Sequence, residues 1–162
     1  MICTILTDGS ELRAACKNEE EQPMLTVRNR LLTLLQTLTA QGYDEVWMNC
    51  EYGVPLWAAE FLLMLRRILP VHVNIAVPYE EQSTDWTEEQ RNRYYAVHEQ
   101  SDSAVLLGTR FKDNCYALAD RYMIDRSDLV VICGTQGSVP EAAEYADERS
   151  VRVVYVDLVS DI

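Results

Sequence analysis

Six short apolar runs recur along the chain, at residues 2–6, 45–48, 71–77, 103–108, 128–133 and 151–156, and a longer stretch separates each from the next. Runs of this length suit strands rather than helices. Residues 71–77 are nearly all apolar instead of alternating, as in a strand covered on both faces. The first intervening helix, 24–41, carries Leu25, Val27, Leu31, Leu32, Leu34, Leu35 and Leu38 on one broad face. Residues 54–69, 115–126 and 139–149 read as further helices. Another runs to about residue 100, capped by Asp85 or Thr87, with Thr87-Glu88-Glu89-Gln90 a partial capping box. Gly42 ends the first helix as a left-handed C′ residue, and Pro70 stops the second. Strict alternation of strand and helix implies parallel strands with crossover helices on both faces. The expected fold is α/β: a Rossmann-like three-layer α/β/α arrangement with a mostly parallel sheet of about six strands. A length of 162 residues suits one domain spanning 1–162. Residues 11–23 are polar and acidic and read as a loop, and 157–162 as a short surface tail.

Ligands of such sheets bind at the carboxyl ends of the strands. Five loops gather there: 7–10, 49–54, 78–86, 108–114 and 134–138. Thr7, Asp8 and Gly9 form the first. In the second, Asn49, Tyr52, Gly53 and Val54 precede a helix whose first turn holds Pro55 and Trp57. Its free N–H groups and positive dipole end suit an anion, although the turn is poor in the glycine that lets phosphate reach the backbone. Tyr52 and Trp57 have rings that stack on a base or pack in the core, and Tyr79 and Trp86 flank an acidic loop. The fifth loop is the better phosphate cradle: Gly134 and Gly137 permit close approach and Ser138 offers a hydroxyl. Glu141 follows near the helix start, as a site carboxylate or as a partner of the dipole alone. Glu51 and Glu141 facing each other across the crevice would allow acid/base chemistry.

Other constellations are weaker. His72 and His98 stand alone without the spacing of a metal pair, so no metal is expected. Cys133 is a nucleophile if exposed at a helix N-terminus and a structural thiol if buried. The five cysteines form no C-x-x-C pair, and with no signal-peptide pattern this implies a reducing cytoplasm. Twenty-six acidic against fourteen basic residues leave a net charge of -12. That balance argues against nucleic acid and against an anionic membrane surface as partners.

Four segments resemble the YpsA-like family. Gly53-Val54-Pro55-Leu56-Trp57-Ala58-Ala59-Glu60 is similar to its G-V-D-L-W-A-A-E stretch. Pro78-Tyr79-Glu80-Glu81-Gln82 with Trp86 resembles its P-F-x-x-Q-x-x-x-W loop. Tyr122-Met123-Ile124-Asp125-Arg126-Ser127-Asp128 resembles F-M-V-D-x-S-D, and Gly137-Ser138-Val139-Pro140-Glu141 the G-S/T-x-x-E turn. Order and spacing agree over about residues 42–156. The resemblance implies the SLOG superfamily of Rossmann-like proteins, which includes LOG-type phosphoribohydrolases and the DNA-processing protein DprA. It implies a nucleotide or nucleotide-derived ligand. The departures fall on the phosphate positions: Asn49-Cys50 replace a glycine pair, Pro55 replaces an aspartate, and two arginines are lost, near Thr7-Asp8-Gly9-Ser10 and at Ala119-Asp120-Arg121. Arg121 and Arg110 are the cations left to compensate.

Three functions follow as expectations. The first is a protein with no bound cofactor that takes a nucleotide-like small ligand through Thr7, Asp8, Gly9, Asn49, Tyr52, Gly53, Val54, Trp57, Tyr79, Arg121, Gly134, Gly137, Ser138 and Glu141. The second is a LOG-like hydrolase of nucleoside monophosphates with Glu141 as its acidic residue. The third is a ligand-free interaction module. A homodimer through the outer helices accompanies all three.

Overall fold

The structure, a computed structural model, describes residues 1–9 and 18–161, so most of the expected acidic loop lies outside the described residues. Its elements are β1 (Ile2–Leu6), α1 (Met24–Ala40), β2 (Glu45–Met48), α2 (Val54–Leu65), β3 (His72–Val77), α3 (Glu88–Gln100), β4 (Ser103–Leu106), α4 (Cys115–Ile124), β5 (Leu129–Cys133), α5 (Pro140–Glu148) and β6 (Arg152–Val156). They follow the alternation in the sequence. The six strands form one sheet in the order β4-β3-β2-β1-β5-β6, every neighbouring pair parallel. The chain therefore builds outward from β1 to β4, then returns across the sheet to place β5 on the other side of β1.

Two-sided burial explains the apolar strands. Cys3 and Ile5, Val46 and Met48, Val73 and Ile75, and Leu129 and Val131 share a core with α1, α2 and α3. The alternate residues Leu6, Trp47, Ala76, Val130 and Ile132 pack with Met123, Ile124, Ala142 and Ala146 of α4 and α5. All five residues of β5 are buried. Each large aliphatic side chain removed from water in this way contributes about 1.5–3 kcal/mol.

The helix ends follow local chemistry. Gly42 takes φ 92°, and the N–H groups of Tyr43 and Gly42 donate to Leu38 and Thr39 carbonyls, a Schellman closure. Thr87, not Asp85, caps α3, and both halves of its capping box form with Gln90. Helix α2 ends at Leu65, short of the expected 69. The N–H groups of Ile68 and Leu69 both turn back to the Leu65 carbonyl, because the residue before Pro70 is held out of the helical region. Helix α5 begins at Pro140 because Val139 adopts a left-handed φ of 49°.

The expected surface tail is instead fastened down. Leu158 is buried, and Arg30 donates to the carbonyls of Leu158 and Ser160 at 3.1 and 2.7 Å. The adjacent apolar residues Leu158 and Val159 were the available signal.

The loops after β3 and β4 touch through Gly108. Its carbonyl accepts the Glu80 N–H at 3.1 Å, and a Cβ built on it would meet the Pro78 carbonyl oxygen at 2.9 Å. A backbone oxygen has little room to yield. Gly108→Ala is expected to destabilise the fold by roughly 1–3 kcal/mol in urea unfolding, and unchanged stability would show that the two loops slide apart freely.

Candidate functional site

The reversal of strand order between β1 and β5 splays the loops that follow them, the place where open α/β sheets form a crevice. Thr7 bridges the two strands: its hydroxyl donates to the Cys133 carbonyl at 3.1 Å and accepts the Gly9 N–H at 3.2 Å. Thr7, Asp8, Gly9, Val54 and Gly134 line a cavity here, closed from the tail by Leu158 and Val159. It leaves about 10 Å³ for the centre of a water molecule, room for about one water. A larger ligand would lie over its mouth.

The fifth loop keeps its hydroxyl for itself. Ser138 Oγ donates to the Thr135 carbonyl at 2.7 Å, and a Cβ on Gly134 would come within 2.8 Å of that oxygen. Gly134 is thus required by the turn's own packing. Gly137 has φ 94°, and Val139, two residues on, is a β-branched residue in the left-handed region, a costly conformation. Glu141 in the first turn of α5 is exposed.

The second loop shows what replaced its glycines. Cys50 is fully buried with φ 56°, so a side chain sits where the backbone favours glycine. Asn49 is buried; its Oδ1 accepts the Glu51 N–H at 2.9 Å and its carbonyl accepts Gln82 Nε2 at 3.0 Å. Gln82 is itself buried and accepts the Tyr94 hydroxyl at 3.0 Å. The loop after β3 is thereby bolted beneath the loop after β2. Gly53, N-cap of α2, has φ 114° and open space around it.

Between these turns the crevice is acidic and aromatic. Burial, then the carboxylates of Glu51 and Glu141, push the Asp120 carboxyl on α4 up to about 7. Burial raises the Tyr79 and Tyr116 phenols, and Glu51 adds to both. The Tyr79 ring meets Phe111 edge-on at 5.4 Å and Tyr116 at 6.3 Å. In the sequence Asp120 stands out only as a departure at a phosphate position and Gln82 only as part of a family-like loop, while nothing singles out Tyr116 and Phe111. The packing of α4 and of the loops after β3 and β4 brings their side chains together.

Other expected site residues lie apart. Trp57 is buried; its Nε1–H donates to Glu19 at 2.5 Å, and Tyr52 packs edge-on against it and Trp86. Glu19 also pairs with Arg93, which grips Glu60 through two 2.7 Å bonds. The Arg121 guanidinium lies 5.2 Å from the Tyr145 ring centre, on the α4–α5 surface. Burial pushes the Cys133 thiol up to about 12, so it is a structural thiol and not an activated nucleophile. His72 lies 3.3 Å from Asp102 at the amino edge, and His98 Nδ1 bonds the Tyr94 carbonyl. Among the described residues no three His, Cys, Asp or Glu are grouped to hold a metal ion, and no helix is long and apolar enough to cross a membrane.

The family model YpsA, described as the YspA SLOG family, matches residues 11–150. The YpsA protein of Bacillus subtilis is 30% identical over 105 residues, covering 63% of this chain and 56% of that protein. A relative from Halalkalibacterium halodurans is 28% identical over 125 residues, covering 73% of this chain and 66% of that protein. The matched stretch thus spans only about half to two thirds of these relatives. Among solved structures, DNA processing protein A from Helicobacter pylori, described for its single-stranded DNA binding mode, superposes with a TM-score of 0.60 at 14% identity, over 99% of this chain and 67% of that one. A molybdenum cofactor binding protein from Rippkaea orientalis gives 0.56 at 13%, over 96% and 76%. At these identities the likeness is one of fold. It nevertheless corrects the expectation that excluded nucleic acid: a protein with this fold binds single-stranded DNA. Whole-chain charge was the wrong measure, because a local patch decides what a surface meets.

The raised Asp120 carboxyl has a consequence for stability. The folded chain keeps a proton on Asp120 that the unfolded chain releases near its ordinary value of 3.8. Wild-type stability therefore falls as pH rises from about 4 through about 7. Asp120→Asn lacks that fall, so it is expected to exceed wild type by roughly 1–3 kcal/mol above neutrality and to match it near pH 4. Urea unfolding at both pH values checks this, and a gap that does not change with pH would contradict it.

Proposed function

The chain belongs to the YpsA SLOG family, and from that premise we propose that it binds a nucleotide or nucleotide-derived small ligand at the carboxyl edge of its sheet. The observation that carries this reading is the cavity at the strand-order reversal, where Gly9, Val54 and Gly134 meet. The carboxylates around it favour the ligand's polar, uncharged part there. Glu51, Asp120 and Glu141 accept hydrogen bonds from sugar hydroxyls, and Tyr79 packs against the ring. The two structural neighbours, one binding single-stranded DNA and one a molybdenum cofactor, are in keeping with a binding role. The reading further takes 1–162 as one domain, working as a homodimer in a reducing cytoplasm. The free thiols of Cys3, Cys50, Cys115 and Cys133 support that compartment.

Native mass spectrometry of the purified chain, then thermal unfolding with AMP, UMP and NAD, tests the reading. A ligand at a hundred times its Kd is expected to stabilise the chain by about 2.7 kcal/mol. No co-purified ligand and no shift with any compound would turn attention to the interaction-module alternative.

One observation favours a second reading, N-glycosidic cleavage of a nucleoside monophosphate. Asp120 is held near neutrality beside Glu141, an arrangement suited to protonating the departing base while a carboxylate directs water to the sugar carbon. Chromatography of incubated nucleotides is expected to show free base with wild type and at least a hundredfold less with Asp120→Asn. The absence of free base from wild type would remove this reading for the nucleotides tried.

A further inference from the structure

The loop between β4 and α4 reads Thr109-Arg110-Phe111-Lys112-Asp113-Asn114, and all six residues are exposed. Phe111 keeps 60% of its surface in water. Such a residue in a loop is normally turned inward, since a ring loses by exposure. Here it is held out by defined contacts. Gly108 fixes the start of the loop against Pro78 and Glu80, and the Lys112 carbonyl accepts the Cys115 N–H at 3.0 Å where α4 begins. Tyr79 stands nearly perpendicular to Phe111, at 75°. Perpendicular rings leave a flat face available for stacking.

Two cations flank the ring. Arg28, Arg121, Arg126 and Arg149 each lie over an aromatic ring, and Arg93 is held by two carboxylates. The side chains of Arg110 and Lys112 make no hydrogen bond, ion pair or ring contact among the described residues. In a chain of net charge -12, two uncommitted cations flank a projecting ring at the mouth of an acidic crevice, with one carboxylate, Asp113, in the same loop. Planar bases stack on such rings, and their phosphates meet Arg and Lys heads.

We propose that Arg110, Phe111 and Lys112 form a nucleotide seat, in which Phe111 stacks on the base and the two cations contact phosphate. The chemistry is that of a base with its phosphate, whether free or as one unit of a single strand. The inference rests on the nucleotide reading above and gives the phosphate a partner outside the carboxylate-lined crevice. That answers the loss of glycines and arginines from the usual phosphate position.

Fluorescence anisotropy of the whole chain with a labelled oligothymidylate of ~15 nucleotides, competed with TMP, tests it. Phe111→Ala is expected to weaken binding about tenfold, Phe111→Trp to retain it, and neither to move the melting temperature. Replacing Arg110 and Lys112 together by Gln is expected to lower the slope of log K against log salt by ~1.4. Displacement by TMP would identify a free nucleotide as sufficient, whereas a strand that resists displacement would identify a single strand. Wild-type affinity in Phe111→Ala overturns the seat. If Glu141→Gln then changes the binding, the crevice reading survives without it. If Phe111→Ala weakens binding and Glu141→Gln does not, the seat stands and the crevice reading falls. Wild type that binds neither probe overturns the seat outright.

Discussion

The pairing of β1 with β5 is the constraint on which the other features depend. These strands are more than 120 residues apart in sequence, and their register is fixed at both ends. At the amino end, Ile2 N–H donates to the Asp128 carboxylate and Asp128 N–H to the Ile2 carbonyl, both at 2.8 Å. Below them the Thr4 and Ser127 hydroxyls share a 2.6 Å bond. At the carboxyl end, Thr7 reaches the Cys133 carbonyl. With β5 on one side of β1 and β2 on the other, the connections leave in opposite directions and a gap between them follows from geometry.

The loops along this edge are held by interactions unlike those of the core. The core is apolar and alternates across the sheet. The rim rests on a few buried polar groups, above all Gln82, which ties the Asn49 carbonyl to the Tyr94 hydroxyl. A buried amide of this kind fixes one arrangement, because leaving either partner unpaired costs about 1–3 kcal/mol. Backbone conformations that disfavour side chains collect here too, at Cys50 and Val139. Conformations of that sort persist only where surrounding packing dictates them, and they are common at functional edges.

Electrostatics divides the edge into two territories. Burial, with the charges of Glu51 and Glu141 added to it, holds a proton on Asp120 near neutrality. Such a region favours hydroxyl, amine and ring N–H donors and resists phosphate. The exposed Arg110 and Lys112 lie outside it, beside Phe111. A ligand with a polar uncharged part and an anionic part matches this division better than one of uniform charge.

Strand and helix were legible because each depends on local spacing. Apolar runs such as Glu45–Met48 and Leu129–Cys133, the Gly42 terminus and the Thr87 capping box all act within a few residues. The loops that would gather followed from the same alternation, so Thr7, Gly9, Val54 and Gly134 were found where they meet. Trp57 and Arg121 show where local reasoning stopped. Their chemistry suits a ligand, but packing turned one to Glu19 and the other to Tyr145. Phe111 was not singled out, and Asp120 and Gln82 were noted only for their place in family-like segments, because spacing along the chain does not say which side chains meet. Sequence alone therefore determined the layers, the parallel sheet and the edge at which its loops gather. The strand order, and which side chains share the crevice, were decided only by long-range packing, because burial and charge depend on neighbours that the chain brings together from far apart.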